Sequence, residues 1–286
     1  MTQELVIKDT GVLARAELDT QISTAKAYPR EAQKAIQYAT MLATMDEATA
    51  QSCYYCLPRK DKNGNKVEIR GGSIRLAEII ANAWGNLHAA TRIVENDGKN
   101  ITAEGVAWDL ETNVKISMQN KVSIWFGAKD GKGGYQANAD MQTMLANAAS
   151  AKALRNAIFK VVPKALVDIV RDKAMSFSIG DVKTVNAKVK EVIDKLNKMG
   201  LTTESILEYY GYDSIGKITP ADYTSLLGVG TAIKEGYIKP EQVFNAETDD
   251  IPGMSAAEKV QNLLAEIKPK VDAQTGEINE KDRNSN

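Results

Sequence analysis

The chain has 286 residues, of which 43% are hydrophobic and 26% are charged, an ordinary globular composition. This length suits one large domain, or one domain with a smaller satellite. No apolar run approaches the roughly 18 residues that cross a bilayer, and the N-terminus lacks the basic start and apolar stretch of a secretion signal. We therefore expect a cytoplasmic protein without a membrane partner. The only cysteines, Cys53 and Cys56, fit a reducing compartment.

Charge is unevenly distributed, although the formal net charge is only −1. Residues 50–175 carry 18 Lys and Arg against 12 Asp and Glu, whereas residues 240–286 carry 5 against 10. A basic body followed by an acidic tail is a recurrent pattern in nucleic-acid-binding proteins.

The first predicted elements are a polar N-terminal arm at 1–28 and a helix over 29–45 with apolar residues at helical spacing. Asp46 is expected to cap a short second helix. Two extended segments, 53–60 and 66–70, then flank Asn63-Gly64, which is a strong signal for a β-hairpin turn.

Ser73 is expected to cap the next helix, which runs to about Trp84. Three extended segments at 86–95, 100–109 and 113–126 follow, and the turn residues between them predict an antiparallel meander. In the middle segment, alternation places four residues on one face, namely Ile101, Ala103, Gly105 and Ala107.

A glycine-rich loop at 127–137 precedes a long helix, which begins near Asn138 and is ended by Pro163. Its predicted buried stripe consists of Met141, Leu145, Ala148, Leu154, Ile158 and Val161. Residues 182–245 predict a separate helical module in which Thr202 or Thr203 and Thr219 begin helices. Residues 246–286 predict an acidic, disordered tail.

These elements predict an α+β fold. An antiparallel hairpin and a three-stranded meander pack with the long helix in a core at 29–178, and the small helical C-terminal module follows.

Residue types that would support catalysis are few. His88 is the only histidine, and it lies in a predicted strand. Cys53 and Cys56 form a single C-x-x-C pair, without the further ligands of a structural zinc site. The glycine loop lacks the order of a phosphate-binding loop. Asp109, Glu111 and Asn113 offer oxygen ligands for a divalent ion, but a solvated turn is the more frequent outcome. We therefore expect neither enzymatic activity nor a cofactor.

Single-stranded nucleic acid is bound by cations along a groove and by flat side chains that stack on bases. The predicted hairpin supplies both, with Tyr54 and Tyr55 for stacking. Its cations are Arg59, Lys60, Lys62, Lys66, Arg70 and Arg75. The alternative is a charged, solvated hairpin.

The long helix carries a second basic cluster. Lys152, Arg155 and Lys160 lie on one stripe, and Lys164 follows the proline. Such a stripe suits phosphates spaced along a strand, and each contact adds salt-dependent affinity.

The glycine loop carries a third candidate patch. Trp125 is available for base stacking, and Lys129, Lys132 and Tyr135 are available to contact DNA. A loop that folds over DNA and an ordinary solubilising loop share this composition. Trp84 and Trp108 are predicted to be core residues.

The order of these pieces resembles a known family. The helix SIRLAEIIANAWGNL, the meander with GVAWDLETN, and the long helix ending ASAKALRNAIFKVVPKAL are similar to the single-strand annealing proteins of phages and prophages, the RecT, Red-beta and Erf superfamily. The likeness covers residues 25–245 as a pattern rather than as an exact signature.

This resemblance implies an ATP-independent protein that assembles into rings or filaments on DNA and pairs complementary strands in phage-type recombination. It implies that Arg75, Lys152 and Arg155 line the DNA groove. It also implies that the C-terminal module binds an exonuclease or a host single-strand-binding protein.

Three alternatives remain open at this stage. The first is a single-stranded DNA coating protein that does not anneal. The second is a phage structural or assembly protein whose basic face contacts another protein. The third alternative is a nuclease that uses Asp109 and Glu111 with Asp130 or Asp140.

Overall fold

The computed structural model describes residues 2–60, 66–127, 134–179 and 185–244. Within these ranges the α-helices are α1 (Thr2–Ala27), α2 (Ala32–Ala43), α3 (Glu47–Ser52), α4 (Ile74–Trp84), α5 (Ala139–Val161), α6 (Lys164–Ile179), α7 (Val185–Lys198), α8 (Thr203–Tyr210) and α9 (Pro220–Lys234). The strands are β1 (Tyr54–Lys60), β2 (Lys66–Gly72), β3 (Leu87–Asn96), β4 (Asn100–Asp109), β5 (Val114–Ser123), β6 (Trp125–Gly127) and β7 (Gly134–Gln136). The predicted acidic tail lies outside the described residues.

The predicted caps Asp46 and Ser73 each accept a hydrogen bond from a backbone amide in the first turn of α3 and α4. Asn138, near which the long helix was predicted to begin, caps α5 in the same way. Thr219 forms a capping box with Asp222 at the start of α9. The segment predicted as a polar N-terminal arm is helical instead, since residues 2–27 form one helix.

The strands form three antiparallel sheets. β1 pairs with β2 so that Tyr54 is opposite Gly72 and Lys60 is opposite Lys66. β3, β4 and β5 form the predicted meander with β4 in the centre. The last predicted strand is interrupted at Ile124, after which β6 pairs with β7 as a short two-stranded ribbon.

The long helix α5 covers one face of the meander. Ala149, Ala153 and Ala157 are buried along its inner side, and small side chains there allow the helix to approach β4 closely. Ile158 is buried as predicted, but Met141 is 42% exposed. The buried face of α5 therefore differs from the predicted one. The reason is that the contact follows small residues, which carry little weight in a pattern of large apolar side chains.

The C-terminal helices do not form a separate module. All described residues belong to one compact unit, and α9 lies directly beside β1. A Cβ atom on Gly228 would fall 2.6 Å from Cβ of Cys56. Seven consecutive residues of α9, Tyr223 to Val229, are buried. A helix that is buried on all sides is part of a core. For this reason α9 belongs to the same compact unit as the predicted core at 29–178.

The fold is therefore α+β, with an antiparallel hairpin, a three-stranded meander and a long helix, as the sequence predicts. In the described part of the chain, no helix has both the length and the apolar character needed to cross a bilayer.

Candidate nucleic-acid interface

The hairpin and the long helix meet at Tyr237, which follows α9. The ring of Tyr237 lies 4.5 Å from that of Tyr55, at an angle of 38°. The Arg155 guanidinium lies 4.8 Å from the Tyr237 ring centre and 5.4 Å from the Tyr55 ring centre. The Lys152 ammonium lies 5.1 Å from the Tyr237 ring centre and donates a 2.8 Å hydrogen bond to the carbonyl of Gly236. We call these four side chains, Tyr55, Lys152, Arg155 and Tyr237, the Tyr237 cluster.

The Tyr237 cluster is largely withdrawn from water. Arg155 is 4% exposed, and Tyr55 and Tyr237 are each 8% exposed. Burial, together with the nearby charge of Arg155, lowers the pKa of Lys152 to about 8, while Glu235 acts in the opposite direction. Burial also raises the pKa of the Tyr237 hydroxyl. The candidate DNA-binding residues Tyr55 on β1 and Lys152 and Arg155 on α5 are thus brought together. In this structure they contact one another and Tyr237 rather than solvent.

Two other hairpin residues are more deeply buried than the sequence predicts. Tyr54 is 0% exposed, and its hydroxyl shares a 2.9 Å hydrogen bond with the Ser178 hydroxyl. Arg59 is 1% exposed. The structure contradicts the predictions that Tyr54 stacks on bases and that Arg59 contacts phosphates, because other parts of the fold, among them α9, cover β1.

The remaining hairpin cations lie nearer the surface. Lys66 is exposed, and its ammonium lies 5.7 Å from the ring centre of Tyr209. Arg70 forms a 2.6 Å ion pair with Glu68 and donates a 3.1 Å hydrogen bond to the Ser225 hydroxyl. The Lys60 side chain and Lys62 lie outside the described residues.

An open groove of about 510 Å³ lies between α3, α4, α7 and α9. Three cations from three different helices line it, namely Arg75, Lys195 and Lys234. Its other lining residues include the acidic Glu235 and the apolar Ile74, Met199 and Leu227, so cations outnumber carboxylates in the lining by three to one. Arg75 also pairs with Glu78, and Lys195 pairs with Glu191. We call this the basic groove.

Sequence reasoning missed Lys195 and Lys234. Each lies in a segment assigned to a separate module, about 120 or more residues from Arg75 along the chain. No local pattern joins positions that far apart. They meet because α7 packs on α9, and α9 packs on β1 and α3 near the start of α4.

The end of α5 and the start of α6 carry the last two predicted cations of the stripe. Lys160 is exposed and has no ion-pair partner among the described residues. Lys164 forms a 2.8 Å ion pair with Asp168. Lys160 is therefore the more available of the two for a phosphate.

The β6–β7 ribbon presents aromatic rings at the surface. Trp125 is 44% exposed and Tyr135 is 60% exposed, and the rings of Phe126 and Tyr135 lie 5.8 Å apart across the two strands. Lys129 and Lys132 fall between these strands in sequence, outside the described residues. Exposed rings of this kind are available to stack on bases.

The acidic residues considered as metal ligands hold an arginine instead. Arg30 donates two 2.6 Å hydrogen bonds to the carboxylate of Asp109 and a 2.9 Å hydrogen bond from Nε to Glu111. The same guanidinium lies 4.5 Å from the ring centre of Trp84. No group of three or more potential metal ligands occurs among residues that the structure describes. Burial raises the pKa of each of Cys53 and Cys56 to about 12, which disfavours thiolate chemistry.

Comparison of the chain with protein-family models, with curated proteins and with solved structures gives no match in any of the three. The geometry above and the sequence pattern are therefore the basis for assigning a function.

Proposed function

We propose that this protein binds single-stranded DNA and anneals complementary strands without ATP. It acts as a cooperative homo-oligomer in the cytoplasm of a bacterial cell, during recombination of the phage type. It works by binding energy alone, without a cofactor, and its product is annealed duplex.

The observation that carries this proposal is the basic groove. Arg75, Lys195 and Lys234 line one opening, and apolar side chains form part of its wall. Cations at a rim neutralise phosphates, and an apolar wall accepts the faces of bases without selecting their sequence. A groove of this character suits a flexible, sequence-independent anionic polymer better than a small charged ligand.

The β6–β7 ribbon gives independent support. Trp125 and Tyr135 are large side chains that gain nothing from exposure to water, and exposed aromatic residues next to lysines are a recurrent means of holding single strands. Side-by-side assembly of subunits multiplies such weak contacts into tight binding, because neighbouring sites on one strand act together.

The test is an annealing assay with two complementary labelled oligonucleotides in the absence of ATP. The wild-type protein is expected to accelerate pairing over the spontaneous rate. The double variant Lys195→Gln/Lys234→Gln is expected to lose most of this acceleration, because it removes two cations from the basic groove.

The matched control is Lys99→Gln/Lys173→Gln, which removes the same charge from exposed lysines outside the groove. Equal annealing rates with and without wild-type protein would contradict annealing. If the protein then still retained DNA at about 0.1 M salt, it would be a coating protein, and if it retained none, it would belong to a different functional class.

The part of the chain from α7 to α9 is also the place where we propose that an exonuclease or a host single-strand-binding protein docks. The corresponding test is pull-down of such a partner by the full chain. Charge reversal at exposed α7 residues outside the basic groove, Lys190 and Asp194, is expected to abolish it.

A further inference from the structure

The surroundings of Tyr237 have the chemistry of a nucleobase site. One aromatic ring, Tyr55, lies 4.5 Å away, and the guanidinium of Arg155 lies 4.8 Å from the ring centre. The ammonium of Lys152 lies 5.1 Å from the same centre. An aromatic face with an arginine and a nearby cation is the set of groups with which proteins hold an unstacked base and its phosphate.

The cluster has an acidic neighbour, because Glu235 hydrogen-bonds to the Tyr237 hydroxyl and lies near the charges of Lys152 and Arg155. Arg155 is 4% exposed, and withdrawing a cation from water costs free energy even where the cation is paired. A Leu or Met at either α5 position would fill a core at lower cost. With Glu235 counted, two cations and one carboxylate leave a net positive charge beside the aromatic rings, which suits a ligand that carries both a flat ring and negative charge.

The backbone that carries Tyr237 is held by bonds that do not involve its ring. The amide of Tyr237 donates to the Ala232 carbonyl at 2.9 Å, and the amide of Gly236 donates to the Ile233 carbonyl at 3.1 Å. These two bonds, with Gly236 at a φ of +66°, form the Schellman motif that ends α9. Displacing the ring would therefore break its hydroxyl hydrogen bond to Glu235 and its ring contacts, but would leave these backbone bonds in place.

We propose that Tyr237 occupies a nucleobase-binding position, so that its ring is an internal competitor of single-stranded DNA. When the ring swings out, a base stacks on Tyr55 and against Arg155, and the adjacent phosphate lies at Lys152. This inference rests on the proposed function, since it takes single-stranded DNA as the ligand.

The competition has a measurable consequence. Tyr237→Ala removes the competing ring and is expected to bind an oligo(dT) strand about five- to tenfold more tightly than wild type, since one base stack contributes an affinity gain of this order. Fluorescence anisotropy of a labelled strand gives both dissociation constants. Tyr38→Ala removes an exposed tyrosine from α2, remote from the cluster in sequence, and is expected to leave the affinity unchanged.

A double variant identifies where the base goes. In Tyr237→Ala/Tyr55→Leu the gain is expected to disappear, because the stacking partner is removed while apolar volume is kept. A strand with a single 2-aminopurine reports the same event, since stacking quenches its fluorescence in Tyr237→Ala more strongly than in the double variant.

A measurement on wild-type protein guards against poor folding of the variants. A strand containing 5-iododeoxyuridine is irradiated in complex with the full chain, and cross-linked peptides are identified by mass spectrometry. Cross-linking at Tyr55 or Tyr237 supports the proposal. DNA binding without any cross-link in these peptides overturns it, as does a folded Tyr237→Ala variant that binds no more tightly than wild type. Absence of DNA binding by wild type and Tyr237→Ala alike would refute the proposed function itself, whereas binding by Tyr237→Ala alone would establish the competition directly.

Discussion

Gly105 on β4 lies directly against the backbone of Ala153 on α5, so that a Cβ atom at position 105 would overlap the Ala153 carbonyl group. Gly105 is opposite Thr91 on β3 and Met118 on β5, at the centre of the meander. This close packing fixes how near α5 comes to the sheet. It therefore also sets where Lys152 and Arg155, one residue before and two residues after Ala153, face the hairpin.

Gly105→Ala is expected to destabilise the protein by about 1–3 kcal/mol, the usual cost of overpacking a close contact. Urea denaturation measures the change in the free energy of unfolding. Gly216→Ala is the control, because a Cβ there meets open space, and its effect is expected to stay within about 0.5 kcal/mol. Equal effects of the two substitutions would show that α5 does not pack on Gly105.

The Arg30–Asp109 ion pair ties the segment before α2 to the end of β4. Burial disfavours the charged form of Asp109, but hydrogen bonds from Arg30, from the Thr112 amide and from Trp84 outweigh this and lower its pKa to about 2. A carboxylate with a lowered pKa in the folded state adds stability above its ordinary value near pH 4. That stability disappears as the pH falls towards about 2.

Asp109→Asn is therefore expected to cost about 2–3 kcal/mol at neutral pH, between the values for exposed and for fully buried pairs. The difference from wild type should shrink between about pH 4 and pH 2. Denaturation series at pH 6, 4 and 2.5 measure it, with the exposed Asp194→Asn as control. A difference that stays constant down to pH 2.5 would contradict the lowered pKa.

Lys152 produces a pH dependence at the alkaline end. Since its pKa in the folded state is about 8, below the ordinary lysine value of 10.5, the unfolded chain binds more protons between these two values. Stability therefore rises with pH in this window because of Lys152. Lys152→Met is expected to lack that rise. Tyrosines that titrate above pH 10 contribute to both proteins, so the informative quantity is the difference between them. Parallel curves from pH 7.5 to pH 10 would show that the lysine is not desolvated.

The basic groove predicts a specific salt dependence. The logarithm of the DNA association constant falls linearly with the logarithm of the salt concentration, and each phosphate-binding cation contributes about 0.7 to the steepness for a single strand. Lys195→Gln/Lys234→Gln should therefore make the slope less steep by about 1.4. Anisotropy titrations from 50 to 300 mM salt give the slopes. Lys99→Gln/Lys173→Gln should retain the wild-type slope, and a similar reduction in both double variants would mean that only overall charge matters.

Much of the local structure was predictable because it depends on neighbours in sequence. Asp46, Ser73 and Thr219 cap helices as expected, and Asn138 caps α5 near the predicted start of the long helix. A side chain that bonds to an amide three residues ahead needs no tertiary context. The meander followed from alternation and turn residues in the same way.

The candidate site was predictable only in part. The patterns named Tyr55 in the hairpin and Lys152 and Arg155 in the long helix as separate candidates, and the structure brings these three together. They did not predict Tyr237, which enters the same cluster from 82 residues beyond Arg155. Nor did they predict that Tyr54 and Arg59 are covered, since burial depends on which distant helix packs on a strand.

The sequence by itself determined most of the helices and strands, several of the caps and the α+β class, because these depend on interactions across three or four residues or on turns between adjacent strands. Only the tertiary structure decided which cations reach solvent. The packing of α9 on β1 and of α5 on β4 withdrew Arg59 and Arg155 from the surface, and it placed Arg75, Lys195 and Lys234 around a common groove. Exposure is a property of the whole packed chain, and no local pattern contains it.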